Sequence, residues 1–192
     1  NIESLIGNNA LTLLTEELTS VKVEGDIFGN EKDSAVFMWS EPNAKLIVEG
    51  NITARGCQSA IEIYGLSGEM DSLREIPAIT VKTLNVESGD YFKALTHDEN
   101  GEEIESKALA EAAAKATWYI VDISQPTNGE IEVDGISTKE GLLVAHEGDK
   151  LTVTGAPKKG YRLTGIDAGS KALVTENEDG TYTVTVERGG DV

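Results

Sequence analysis

Apolar residues occupy alternate positions through the first half of the chain, and two such stretches repeat each other 25 residues apart without a gap. Val23-Glu24-Gly25-Asp26-Ile27 returns as Val48-Glu49-Gly50-Asn51-Ile52, and Ser34-Ala35-Val36-Phe37-Met38-Trp39 returns as Ser59-Ala60-Ile61-Glu62-Ile63-Tyr64. A fixed period with alternating apolar positions predicts strands that stack coil upon coil, because one coil cannot bury its own apolar face. A third coil is expected at Leu84-Asn85-Val86-Glu87-Ser88-Gly89, its extra residues leaving the stack as a loop over Leu66–Thr80. The inward ladders would be Val21/Leu46/Leu84, Val23/Val48/Val86, Ile27/Ile52, Val36/Ile61 and Met38/Ile63. Alternation then turns Phe37/Glu62 and Trp39/Tyr64 outward. The opposite phase would bury Glu62 without an evident partner. Asn9–Thr19, rich in Thr and Leu, suits an earlier partial coil or a cap.

The pattern changes twice further along. Residues 102–117 carry the one strong helix signal, with Ala, Glu, Lys and Leu abundant and Glu111 placed four residues before Lys115. Ile104, Ala108, Leu109 and Ala112 would share a face that caps the stack, after a turn at Asp98-Glu99-Asn100-Gly101. From Trp118 the chain reads as short strands between turn residues. Tyr119–Ile123 is one, and Thr127-Asn128-Gly129-Glu130 predicts a hairpin into Ile131–Val133. Lys150–Thr154 and Thr181–Val186 follow. We therefore expect two domains. Residues 1–117 form a short right-handed parallel β-solenoid with a capping helix, and 118–192 a small antiparallel all-β module.

Glu147-Gly148-Asp149-Lys150-Leu151-Thr152-Val153-Thr154, Pro157-Lys158-Lys159-Gly160-Tyr161-Arg162-Leu163, Asp179-Gly180-Thr181-Tyr182-Thr183-Val184 and the closing Gly190-Asp191-Val192 carry a resemblance. In this order they resemble the divergent internalin-B-type repeat of bacterial surface proteins, over about residues 119–192. Val186-Glu187-Arg188 stands where that family has Met-Pro, and the family's closing Thr-Val-rich strand would follow Val192. The resemblance implies an extracellular protein of the bacterial cell wall or cell surface, with such modules as spacers or binding units. Residues 10–96 resemble, more loosely, the short β-helices of adhesins and polysaccharide-acting proteins.

Composition narrows the partners. Sixteen basic residues against 34 acidic give a formal charge of −18, a field that repels nucleic acid and anionic membrane. No apolar run is long enough to insert into a membrane. Cys57 is the single cysteine, so no intrachain disulfide forms, and it reads as an incidental small residue of a turn. The chain opens at Asn1 with no signal-peptide pattern, and we expect it to be a piece of something longer. There is no phosphate-binding glycine loop, no nucleophile elbow and no His-rich metal motif. His97 and His146 read as solvated polar residues near turns.

Two constellations remain. Stacked coils roughly 4.8 Å apart would align Glu24, Glu49 and Glu87, with Asp26 and Asn51 two positions on. Those carboxylates either splay into water, the simpler arrangement, or hold a hard oxygen-ligated cation such as Ca²⁺. No other cofactor is implied. Trp39 above Tyr64, flanked by Phe37, would offer flat apolar surface to a sugar ring or a protein partner, unless other parts of the chain cover it. The expectation is a non-catalytic, structural or adhesive segment that binds carbohydrate or a host or cell-surface protein. The alternative is a fragment of a β-helix polysaccharide lyase or glycoside hydrolase acting through paired carboxylates.

Overall fold

The computed structural model describes residues 2–3, 9–13, 20–39, 44–65, 76–170 and 172–190. The protein is mainly β, 56% strand, with mixed and antiparallel sheets, one of them curled as a half-barrel. Two compact units divide it, Asn1–Thr117 and Trp118–Val192.

In the first unit the strands are β1 (Ile2–Glu3), β2 (Asn9–Leu13), β3 (Ser20–Val23), β4 (Ile27–Asn30), β5 (Ser34–Trp39) and β6 (Lys45–Arg55). They continue as β7 (Ser59–Tyr64), β8 (Ala78–Val86), β9 (Asp90–His97) and β10 (Glu103–Glu105). From β4 to β9 consecutive strands alternate between two sheets. One runs β1-β4-β6-β8, with β3 also on β6, and the other runs β10-β9-β7-β5-β2. All these pairs are parallel except β9–β10, which is an antiparallel hairpin. Parallel pairing with a 25-residue register sets like above like: Val23 opposite Val48, Ile27 opposite Ile52, Val36 opposite Ile61 and Met38 opposite Ile63. Apart from Val23, which is nearly so, these residues are fully buried. Such columns are the unit's core and its main source of stability.

The third coil differs from expectation. Leu46 faces Ile79, Val48 faces Val81 and Ile52 faces Leu84, so Leu84 and Val86 sit further along the strand than their local sequence suggests. Ala78, Ile79 and Thr80 belong to β8 and not to a loop; residues 66–75 lie outside the described residues, as do 14–19 of the expected cap. The spacing from β6 is 81 − 48 = 33 residues and not the 38 of a Val48/Val86 pair, so this turn exceeds the 25-residue period by 8 residues and not 13. The β6–β8 register slips between Val48 and Asn51, and the spacing becomes 32 residues at Asn51–Thr83. That corner is tightly packed. A Cβ on Gly50 would lie 2.5 Å from Asp26 Oδ1 and 2.6 Å from the Gly25 carbonyl. Asp26 Oδ1 accepts from Asn51 N at 2.8 Å and Asn51 Nδ2 at 3.0 Å, and Thr83 Oγ1 donates to Asn51 Oδ1 at 2.6 Å. Asp26, Asn51 and Thr83 thereby link the segment before β4 to β6 and β8.

The helix is shorter than its composition implies. Helix α1 spans Lys107–Ala116, with Ser106 as N-cap accepting from Leu109 N. Glu103–Glu105 is strand, because Asp98 folds the chain back first. Its Oδ1 accepts from Asn100 N at 2.8 Å and Glu102 N at 2.9 Å, and Gly101 takes φ 77°. Those bonds hold the Asp98 carboxyl below its ordinary value, the Glu102 N–H contributing most. Helix α1 contacts β9 and buries Leu109, Ala113 and Ala114, while Ile104 and Ala108 are exposed and Ala112 is half-buried.

The second unit holds β11 (Trp118–Ile120), β12 (Gly129–Asp134), β13 (Ser137–Lys139), β14 (Leu142–His146), β15 (Lys150–Pro157), β16 (Leu173–Glu176) and β17 (Tyr182–Thr185). Every pairing among them is antiparallel: β11–β14–β13, and separately β12–β15–β17–β16. The expected hairpin at Thr127–Glu130 is a turn, but it leads from β11 into a strand of the other group, since β12 pairs with β15. Leu151, Val153, Val184 and Val186 are buried, and Arg188 pairs with Glu147 at 2.7 Å.

Candidate binding face

Each strand of the β5–β7–β9 sheet has two faces. Val36, Met38, Ile61, Ile63 and Ala94 point to the core and are completely buried. The alternate residues form the other face, and the register places them in rows: Phe37, Glu62 and Lys93 in one, Trp39, Tyr64 and Leu95 in the next. The β9–β10 hairpin extends the face, with His97 opposite Glu103 and Leu95 opposite Glu105.

The three aromatic residues singled out from the sequence meet here. The Trp39 and Tyr64 rings have centroids 5.3 Å apart at 54°, and Phe37 lies 6.3 Å from Tyr64. All three are half-buried, neither core nor fully open. Tyr64 also meets His97 edge-on, with 5.5 Å between centroids, and its hydroxyl lies 3.1 Å from His97 Nε2. Burial raises the Tyr64 hydroxyl above its ordinary value, and the Glu103 carboxylate beside it adds to the effect.

Glu62 departs from expectation. It lies on the outward face yet is 6% exposed, between Phe37 and Lys93. Its partner is Lys93, whose Nζ stands 3.6 Å from Oε2, beyond hydrogen-bond reach, while donating to Gln58 Oε1 at 3.1 Å. Burial pushes the Glu62 carboxyl up from 4.5; Lys93 pulls it back, and Asp33 and Glu103 push it further up. Two polar atoms of this face are buried and without a hydrogen-bond partner: Glu62 Oε2, an acceptor, and Trp39 Nε1, a donor.

The acidic ladder does not assemble as expected. Glu49 falls in the bulge between the Val48–Val81 and Asn51–Thr83 pairs, while Glu87 lies past Ala54, whose carbonyl accepts from its N–H. Glu49 takes Lys22 at 2.9 Å, and Glu87 accepts two-pronged bonds from Arg55 at 2.8–3.0 Å. The Arg55 guanidinium holds the Glu87 carboxyl below its ordinary value. Asp26 is engaged with Asn51, and Glu24 is exposed. Among the described residues no three His, Cys, Asp or Glu side chains converge as a metal site.

Cys57 is buried, its Sγ 3.7 Å from the Arg55 carbonyl. His146 is not a solvated turn residue: it lies on β14 against Trp118, centroids 3.5 Å apart, with Lys139 Nζ 4.4 Å from the same Trp118 ring. Lys93, His97 and Glu103 are the members of the face that sequence reasoning missed. The alternation Phe92, Ala94, Thr96 would have disclosed β9, and with it Lys93 and His97 on the outer side. No described helix is long and apolar enough to cross a membrane. Comparison with protein-family models, with curated proteins and with solved structures found no match.

Proposed function

We propose that this chain is a non-catalytic segment of an extracellular bacterial surface protein, and that the β5–β7–β9 face binds carbohydrate or a cell-surface protein. Residues 1–117 are read as a short right-handed β-solenoid, supported by strands that alternate between two parallel sheets at a 25-residue register. Residues 118–192 are read as an internalin-B-type module, supported by the order of its turn and strand motifs. The observation that carries the functional reading is the half-buried group of Trp39, Tyr64 and Phe37 on one sheet face, ringed by Lys93, His97 and Glu103. Partly exposed aromatics inside a polar rim are the composition of a recognition patch. Retention on immobilised glycans and on cell-surface protein, parent against Trp39→Ala, tests it. Equal retention of the two proteins on every surface would remove the reading.

One observation favours a second reading, a β-helix polysaccharide lyase or glycoside hydrolase. Glu62 is a buried carboxyl raised above its ordinary value and shares a face with Glu103, Tyr64 and His97. Raised carboxyls recur at catalytic sites. Release of reducing ends or unsaturated products from polysaccharide, lost in Glu62→Gln, would establish the enzyme; intact polysaccharide after long incubation would exclude it.

A further inference from the structure

Resting on the recognition-patch reading, we infer that the β5–β7–β9 face takes a neutral pyranose ring, held through a buried donor and acceptor that the free protein leaves without hydrogen bonds.

Trp39 and Glu62 sit diagonally on adjacent strands, Trp39 opposite Tyr64 and Glu62 opposite Phe37. Trp39 Nε1 can only donate and an ionised Glu62 Oε2 can only accept. Leaving either buried and unmade is costly, and the two are complementary, one a donor and one an acceptor on the same face. A hydroxyl both donates and accepts, so the hydroxyls of one polyol ligand can satisfy both kinds of atom. A pyranose supplies those hydroxyls and a C–H face that stacks on Trp39 and Tyr64. A purely apolar occupant would leave both atoms unmade.

Charge then selects among sugars. Glu62 itself, Asp33 and Glu103 set negative charge here against Lys93 among the described residues, within a chain of formal charge −18. An acidic glycan would be repelled, so the ring is neutral. Both atoms are covered in the free protein, so engagement requires side chains of this face to move aside.

The chain has two tryptophans, so the indole N–H signals of Trp39 and Trp118 give one reporter and one internal control in a ¹H–¹⁵N spectrum of the full chain. The probes are cellohexaose, maltohexaose and chitohexaose as neutral glycans and hexagalacturonate as the acidic one. The expected result is a saturable shift of the Trp39 signal with at least one neutral glycan, none with hexagalacturonate, and a still Trp118. Glu62→Gln keeps the side-chain shape and should weaken that binding about tenfold or more, since a charged acceptor is lost. Unchanged affinity in Glu62→Gln, or equal binding of hexagalacturonate, overturns the inference and leaves the recognition patch standing. A Trp39 signal unmoved by every glycan overturns the inference as well. The patch reading falls with it only if Trp39→Ala also leaves cell-surface protein retention unchanged.

Discussion

The two faces of the β5–β7–β9 sheet are built on the same backbone and yet are held by different physics. The inner face is dominated by columns of Val, Ile and Met, with small hydroxyls such as Ser59 at the strand ends. The outer face is nearly as covered at Glu62, but there burial leaves polar atoms without hydrogen bonds and a carboxyl raised above its ordinary value. Apolar columns return free energy for every atom removed from water, whereas a desolvated carboxylate costs it. A face that accepts such a cost is where function is to be sought, because packing alone would replace Glu62 with an aliphatic residue.

The contrast can be broken by substitution. A carboxylate in the core should unfold the first unit: Ile61→Asp on the inner face, or Val48→Asp on β6 of the other sheet, places an unpaired charge in a fully buried column at a cost of several kcal/mol. Thermal melting of either variant close to the parent would end the account of the core. Gly50→Ala comes next. Its Cβ would fall 2.5 Å from Asp26 Oδ1 and force the coils apart where Asn51 and Thr83 bridge them, costing about 2 kcal/mol by denaturant titration.

Glu62→Gln sharpens the comparison, for it should stabilise. The folded carboxyl titrates above its unfolded value, so the folded state holds the extra proton between the two. Stability is therefore lost as pH rises from about 4.5 through the folded value. Removing the charge should raise the melting temperature at pH 7, and the gain should shrink to nothing below the ordinary carboxyl range. A loss of stability at pH 7 would mean that Lys93 more than compensates the burial. The smallest effect belongs to calcium. Glu49 and Glu87 are already paired with Lys22 and Arg55, so calcium at fixed ionic strength should leave the melting temperature where equivalent sodium leaves it. A calcium-specific rise abolished by Glu49→Gln would contradict that pairing.

Much of the first unit was legible because a parallel register copies itself. Val23/Val48, Ile27/Ile52 and Val36/Ile61 could be paired from spacing alone, and with them the outward position of Trp39 and Tyr64. The third coil was not legible. Eight residues beyond the 25-residue period break the spacing, the bulge between Val48 and Asn51 shifts it by one residue, and Leu84-Asn85-Val86-Glu87 mimics Leu46-Ile47-Val48-Glu49 although Val48 pairs with Val81. Glu103 was hidden for another reason. Helix propensity extended α1 back over a segment that the Asp98 turn commits to a hairpin. In the second unit the strands were readable from alternation, but their partners were not. Nothing local to Gly129–Asp134 tells β12 to pair with β15 across an intervening hairpin.

The central claim is that Trp39 belongs to a recognition surface and not to the core. Parallel measurement of melting temperature and glycan or surface-protein binding in Trp39→Ala tests it most directly. The account predicts binding lost, with stability lowered by no more than about 1 kcal/mol, the worth of an aromatic pair at a half-buried strand end. A melting temperature that collapses as in Ile61→Asp, with binding to every probe unchanged in whatever remains folded, would contradict it.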